Sequence, residues 1–85
     1  MNAAKFQVLL FAAAADAVGA DRVSVEVELP IDVGSLARLL AEAHPPLAAV
    51  VGISRLAVDQ RFVPSDFIIE APPRELALIP PVSGG

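Results

Sequence analysis

Six residues, Pro80-Pro81-Val82-Ser83-Gly84-Gly85, follow the short apolar run Leu76-Ala77-Leu78-Ile79 and finish on a bare diglycine. An apolar run that stops at two prolines reads as a strand releasing a slim tail, because neither ring can donate to a hydrogen-bonded ladder. The prolines favour an extended path, and at about 3.3 Å per residue the tail reaches roughly 20 Å. Gly84 and Gly85 carry no Cβ, so their backbone fits a channel too narrow for other residues and can lie close to a nucleotide. The chemistry on offer is that of the Gly85 carboxylate, activated in one protein's active site and consumed in another's. Fraying is the ordinary fate of terminal glycines. The strand directly before them and the stiff prolines are what favour a working tail.

The remaining side chains do not assemble a second reactive centre. His44 is the sole histidine and precedes Pro45, where an imidazole more often interacts with a helix C-terminus than acts as a base. There is no cysteine, which removes disulfides, thiolate metal sites and a thiol nucleophile together. Ser24, Ser35, Ser54, Ser65 and Ser83 are scattered without a partner base, and no clustered carboxylates suggest a metal site. A net charge of −4, with Lys5, Arg22, Arg38, Arg55, Arg61 and Arg74 dispersed singly, argues against nucleic acid and for docking on basic protein surfaces. The expectation is a protein with no autonomous active site, no metal and no permanently bound cofactor.

Eighty-five residues make one domain, read as residues 1–79 with residues 80–85 as an extended tail. Lys5 to Phe11 is apolar on both faces, as in a strand in the middle of a sheet. Ala12 to Val18 favours a short helix capped by Gly19. The stretch Met1 to Ala17 imitates a secretory signal peptide, but a first strand running into an alanine-rich helix is the preferred reading. Val23, Val25, Val27 and Leu29 alternate with Ser24, Glu26 and Glu28, a strand with one wet face that ends at Pro30. Asp32 reads as an N-cap for a helix whose stripe is Val33, Leu36, Leu39, Leu40 and Ala43, stopped by Pro45-Pro46. Leu47 to Val51 suggests a further helical turn. Arg55 to Val58 and Arg61 to Val63 read as a hairpin about Asp59-Gln60, with Phe67 to Ile69 extended and Glu75 to Ile79 as the last strand. No apolar run approaches the roughly 18 residues of a membrane span. The fold class is α+β, a mixed sheet of about five strands packed on one main helix.

Leu78-Ile79-Pro80-Pro81-Val82-Ser83-Gly84-Gly85 resembles the C-terminal signature of the small, sulfur-carrying subunit of molybdopterin synthase, a ubiquitin-like β-grasp family related to the thiamine sulfur carrier. Val8-Leu9-Leu10-Phe11-Ala12 resembles the family's first strand, and Gly19 the glycine after its first helix. Leu56-Ala57-Val58-Asp59-Gln60 resembles its hairpin, with Asp59 in place of an asparagine. The resemblance implies that an activating enzyme of the ubiquitin-activating type uses ATP to adenylate Gly85, and that a sulfur donor then forms a thiocarboxylate. It implies a cytoplasmic protein that enters a large synthase subunit, in a heterotetramer, and gives sulfur to cyclic pyranopterin monophosphate. Gly85 and Gly84 would be the reacting end. Phe11, Phe62 and Ile79 match the family's docking surface, extended by Pro80, Pro81, Val82 and Ser83. For Ile79, docking and ordinary core packing are both open.

Two departures stand out. Ala15-Asp16 replaces an arginine–acid pair common in the family's first helix, and Pro72-Pro73-Arg74 replaces a glycine-containing acidic turn. The alternatives are a carrier for thiamine or another sulfur pathway, a ubiquitin-like protein modifier, and, from a different class, an interaction module with a passive tail.

Overall fold

Alternation of apolar and polar residues sets the first two strands, Asn2–Leu10 (β1) and Arg22–Leu29 (β2), which pair antiparallel with Phe6 opposite Val25 and Val8 opposite Val23. The computed structural model describes residues 2–81 of the chain. Phe6, Val8 and Leu10 are buried together with Val23, Val25 and Val27, whereas Lys5, Gln7, Glu26 and Glu28 are exposed. β1 therefore has one covered and one open face, which corrects the expectation of burial on both. Helices cover only one side of this sheet.

Between these strands Ala13–Val18 forms α1, and Gly19 ends it at φ 77°, donating its N–H to the Ala15 carbonyl at 2.8 Å. A left-handed residue here is the reason for glycine. The signal-like N-terminal stretch is thus a strand and a short helix. Beyond Pro30, Ile31–Asp32 (β3) leads into Val33–Ala43 (α2). The Asp32 carboxylate caps α2, accepting from the Ser35 N–H at 2.9 Å and the Ser35 hydroxyl at 2.7 Å. Both bonds hold its pKa below the ordinary 3.8, the hydroxyl contributing most.

Val33, Leu36 and Leu40 face the core, Leu39 is half-buried and Ala43 is exposed. The buried stripe is thus narrower than expected. Pro45 and Pro46 end α2 and open a 3-10 turn, Pro45–Leu47, that continues into Ala48–Val51 (α3) and buries Leu47. At the end of α2 the His44 imidazole Nε2 lies 2.8 Å from the Ser24 carbonyl oxygen, joining the helix end to β2.

Arg55–Val58 (β4) and Arg61–Phe62 (β5) form the expected hairpin, turning through Asp59 (φ 50°) and Gln60 (φ 69°). Positive φ at both central residues suits the right-handed twist of a two-residue loop. Ile68–Ile69 (β6) pairs with β3 in a separate two-stranded sheet, and Leu76–Ile79 (β7) closes the main sheet. The main sheet has the order β2-β1-β7-β4-β5, with β1 and β7 parallel and the other neighbours antiparallel. One long helix across one face of a five-stranded mixed sheet is the expected α+β, ubiquitin-like β-grasp arrangement.

The core lies between them. Leu36, Leu40 and Leu47 meet Val8, Leu76 and Leu78, all essentially inaccessible to water. Each such leucine contributes about 2 kcal/mol of transfer free energy on burial. No helix among the described residues is long and apolar enough to cross a membrane.

Candidate docking face and carrier tail

β7 belongs to two surfaces at once. Leu76 and Leu78 point into the core, so Ala77 and Ile79 point to the face without helices. Strand register then defines a row on that open face, because Leu9 pairs with Ala77, Ala77 with Ala57, and Ala57 with Phe62. From Leu9 to Phe62 is three strand spacings, about 14 Å. Ala77 and Ala57 are only 3% and 5% exposed, since the bulkier side chains around them shield these small floor residues.

Phe62 is 51% exposed and stands at the β5 end of this row. The Arg55 guanidinium carbon lies 4.2 Å from its ring centroid, a cation–π contact. In the next row Arg55 pairs with Ile79. Phe11 follows β1 directly and is 46% exposed. It joins Ile79, Pro80 and Pro81 with Asp16 of α1 around an open depression of about 610 Å³. Apolar side chains left this bare, contiguous and rimmed by charge are what an interaction surface looks like.

The structure brings Phe11 and Ile79 together beside Pro80-Pro81 and places Phe62 apart from them, on the edge strand β5. Ile79 is half-buried, so the strand residue nearest the tail both packs and remains partly available. Pro80 is buried and Pro81 exposed, which keeps the chain anchored one residue beyond β7. Val82, Ser83, Gly84 and Gly85 lie outside the described residues.

Four members of the face escaped sequence reasoning: Leu9, Arg55, Ala57 and Ala77. Alternation within β4 and β7 carried the signal, since Leu56 and Leu78 in the core force Ala57 and Ala77 outward. Neither alanine is conspicuous without knowledge of which strands are neighbours.

Ala12, between Phe11 and α1, has φ 50° and ψ −125°, a conformation that alanine rarely adopts. It bends the chain sharply, and Ala14 donates its N–H to the Phe11 carbonyl at 3.0 Å. The two departures in sequence also find places here. Ala15 is half-buried against the core, and Asp16 faces the depression. The Pro72-Pro73-Arg74 segment is held by Asp59, whose Oδ1 accepts from the N–H groups of Arg74 at 2.7 Å and Glu75 at 3.0 Å. Asp59 also donates its own N–H to the Glu75 carbonyl at 2.9 Å. The hairpin turn therefore fixes the chain as it enters β7.

Among the described residues no three His, Asp or Glu side chains come close enough to hold a metal ion. The arrangement offers a partner protein an apolar face continuous with the strand that leads to Pro80-Pro81.

Comparison with known proteins agrees with this geometry. The molybdopterin synthase sulfur carrier subunit of Dictyostelium discoideum is 36% identical over 85 residues, covering 95% of this chain and 96% of that protein. The protein of the same name from Caenorhabditis briggsae is 36% identical over 80 residues, covering 93% and 95%. Small archaeal modifier protein 1 of H. volcanii superposes with a TM-score of 0.78 at 29% identity, over 93% of this chain and 99% of its own. The ThiS family model matches residues 8–85, and the chain belongs to the ThiS family.

Proposed function

We propose that this protein is the sulfur carrier subunit of a molybdopterin synthase, with the Gly85 carboxylate as its reacting group. The observation that carries the reading is the continuity of β7 with both the apolar face and the tail. A partner that covers Phe62, Ile79 and Phe11 necessarily draws in the chain that leaves at Pro80-Pro81. The names of the relatives at 36% identity support the same assignment.

In chemical terms, the Gly85 carboxylate attacks the α-phosphate of ATP in a ubiquitin-activating-type enzyme and pyrophosphate leaves. The resulting acyl-adenylate is open to attack at carbon, where the carboxylate was not. A sulfur donor adds there, AMP departs and a thiocarboxylate remains. In the cytoplasm the charged tail then enters the large synthase subunit, which supplies the catalytic side chains, and the sulfur passes to cyclic pyranopterin monophosphate. Phe11, Phe62, Ile79, Pro80, Pro81, Val82 and Ser83 hold the carrier in place, and Gly84 lets the backbone thread a narrow channel.

The test is intact mass after incubation with ATP, sulfide and the activating enzyme, followed by addition of the large subunit and substrate. Replacement of one oxygen by sulfur at the C-terminus, and molybdopterin formed on mixing, are the expected results. Thiolation without molybdopterin would move the protein to another sulfur pathway. No thiolation by a competent activating enzyme would leave an interaction module with a passive tail. The archaeal modifier relative favours one second reading, transfer of activated Gly85 to an amine. In that case protein conjugates would form in place of molybdopterin.

A further inference from the structure

Arg55 stands at the start of β4, and its strand partner is Ile79, the last residue of β7. Its guanidinium lies over the Phe62 ring, 4.2 Å from guanidinium carbon to centroid. Among the described residues no carboxylate lies within ion-pair distance of the guanidinium, the one ion pair there being that of Arg22 with Asp21. The contrast with Arg22, at the far end of the same face, is informative. Arg22 is opposite Leu9, but its Nε already lies 3.4 Å from the Asp21 carboxylate. Among the described residues Arg55 is thus a cation set against an aromatic ring with no carboxylate partner.

We propose that Arg55 selects the docking partner by charge, taking a carboxylate side chain of the protein that covers the Phe62 face. The proposal rests on the docking reading given above and adds the chemistry of the surface that docks. Covering the face strips water from the guanidinium. A partner lacking an acid at that point leaves a desolvated, unpaired cation, which disfavours the wrong partner more than it rewards the right one. A partner with a carboxylate gains a forked, charge-assisted pair whose arginine half is pre-oriented by the ring. The chain's net charge of −4 repels acidic surfaces at long range. Arg55 therefore acts at contact, setting register and rejection.

The test measures affinity for the cognate large synthase subunit by calorimetry, with thermal unfolding as the check on folding. Arg55→Glu should weaken binding at least 30-fold, as expected when a buried pair becomes a like-charge contact. Arg55→Lys, which keeps the charge but loses the planar fork, should weaken it about 3- to 10-fold. Arg38→Glu makes the same charge change on the exposed side of α2 and should stay within about twofold. Raising salt should weaken the wild type more steeply than Arg55→Gln. Arg55→Glu binding within twofold of a wild type that does bind would overturn the assignment of Arg55 alone. Failure of the wild type to bind would overturn the docking reading and this proposal with it.

Discussion

Replacing Phe62 by alanine separates docking from folding, and the structure sets the size of both effects. A phenylalanine carries on the order of 200 Å² of surface. With 51% of it exposed, about 100 Å² remains for a partner to cover, or about 2.5 kcal/mol at 25 cal/mol per Å². The expected loss of affinity is on the order of 50-fold. The cost to the free protein is smaller. It comprises the cation–π contact with Arg55, about 0.5–1 kcal/mol, and part of the covered half of the ring, about 1 kcal/mol more. A domain with ordinary stability remains folded under that loss. Calorimetric titration against the large synthase subunit, with melting curves for each protein, reads the two effects separately. Binding unchanged within about twofold would refute the assignment of this face, because a half-bare residue that bounds a docking surface must lose area on docking. A variant that fails to fold would refute the separation of face from core.

Three further outcomes follow from local geometry. Ala12→Gly should raise stability by about 1 kcal/mol in chemical denaturation, since glycine adopts φ 50°, ψ −125° without the Cβ conflict. Asp59→Ala should lower stability by about 2 kcal/mol, losing two N–H acceptances and a side chain tolerant of positive φ; Asp59→Asn should recover part of it. The Asp32 carboxyl has a folded pKa below 3.8, so its contribution is fully present above the unfolded value and is lost as pH falls through the folded one. Melting temperatures measured from pH 7 to pH 3 should therefore converge for wild type and Asp32→Asn at the acid end, the wild type falling and the asparagine cap not titrating.

Strong local signals made most of the elements legible. The Val23-to-Leu29 alternation, the Asp32 cap, the Pro45-Pro46 stop and the Asp59-Gln60 turn each have one favourable backbone solution, and each is found in place. The β3–β6 pair was not legible. Two residues of strand have no periodicity to read, and Ile31 and Ile69 meet only because α2 and the loop after β5 bring them together. Burial of β1 was misread for a related reason. Composition tells that Val8 and Leu10 are apolar, but which face a helix covers depends on the rest of the chain. At the site, Phe11, Phe62 and Ile79 were visible through family resemblance. Arg55, Ala57, Ala77 and Leu9 needed the cross-strand register, which is a property of pairing and not of any one segment.

That register bears directly on how the carrier works. Side chains alternate along β7 with a period of two, so a slip by one residue would turn Leu76 and Leu78 outward and drive Ala77 and Ile79 into the core. The apolar open face and the core would be lost together, and the strand would present the wrong side at Ile79 and Pro80. Pairing with β1 over three residues and with β4 over four resists such a slip from the flanks. The Asp59 carboxylate resists it at the entrance, where it binds the N–H groups of two consecutive residues, Arg74 and Glu75. A shift that brought Pro73 and Arg74 to those positions would leave it one donor, since proline has no N–H. The hairpin turn thus acts at the opposite end of β7 from Pro80-Pro81, yet it helps to determine where the chain leaves the sheet.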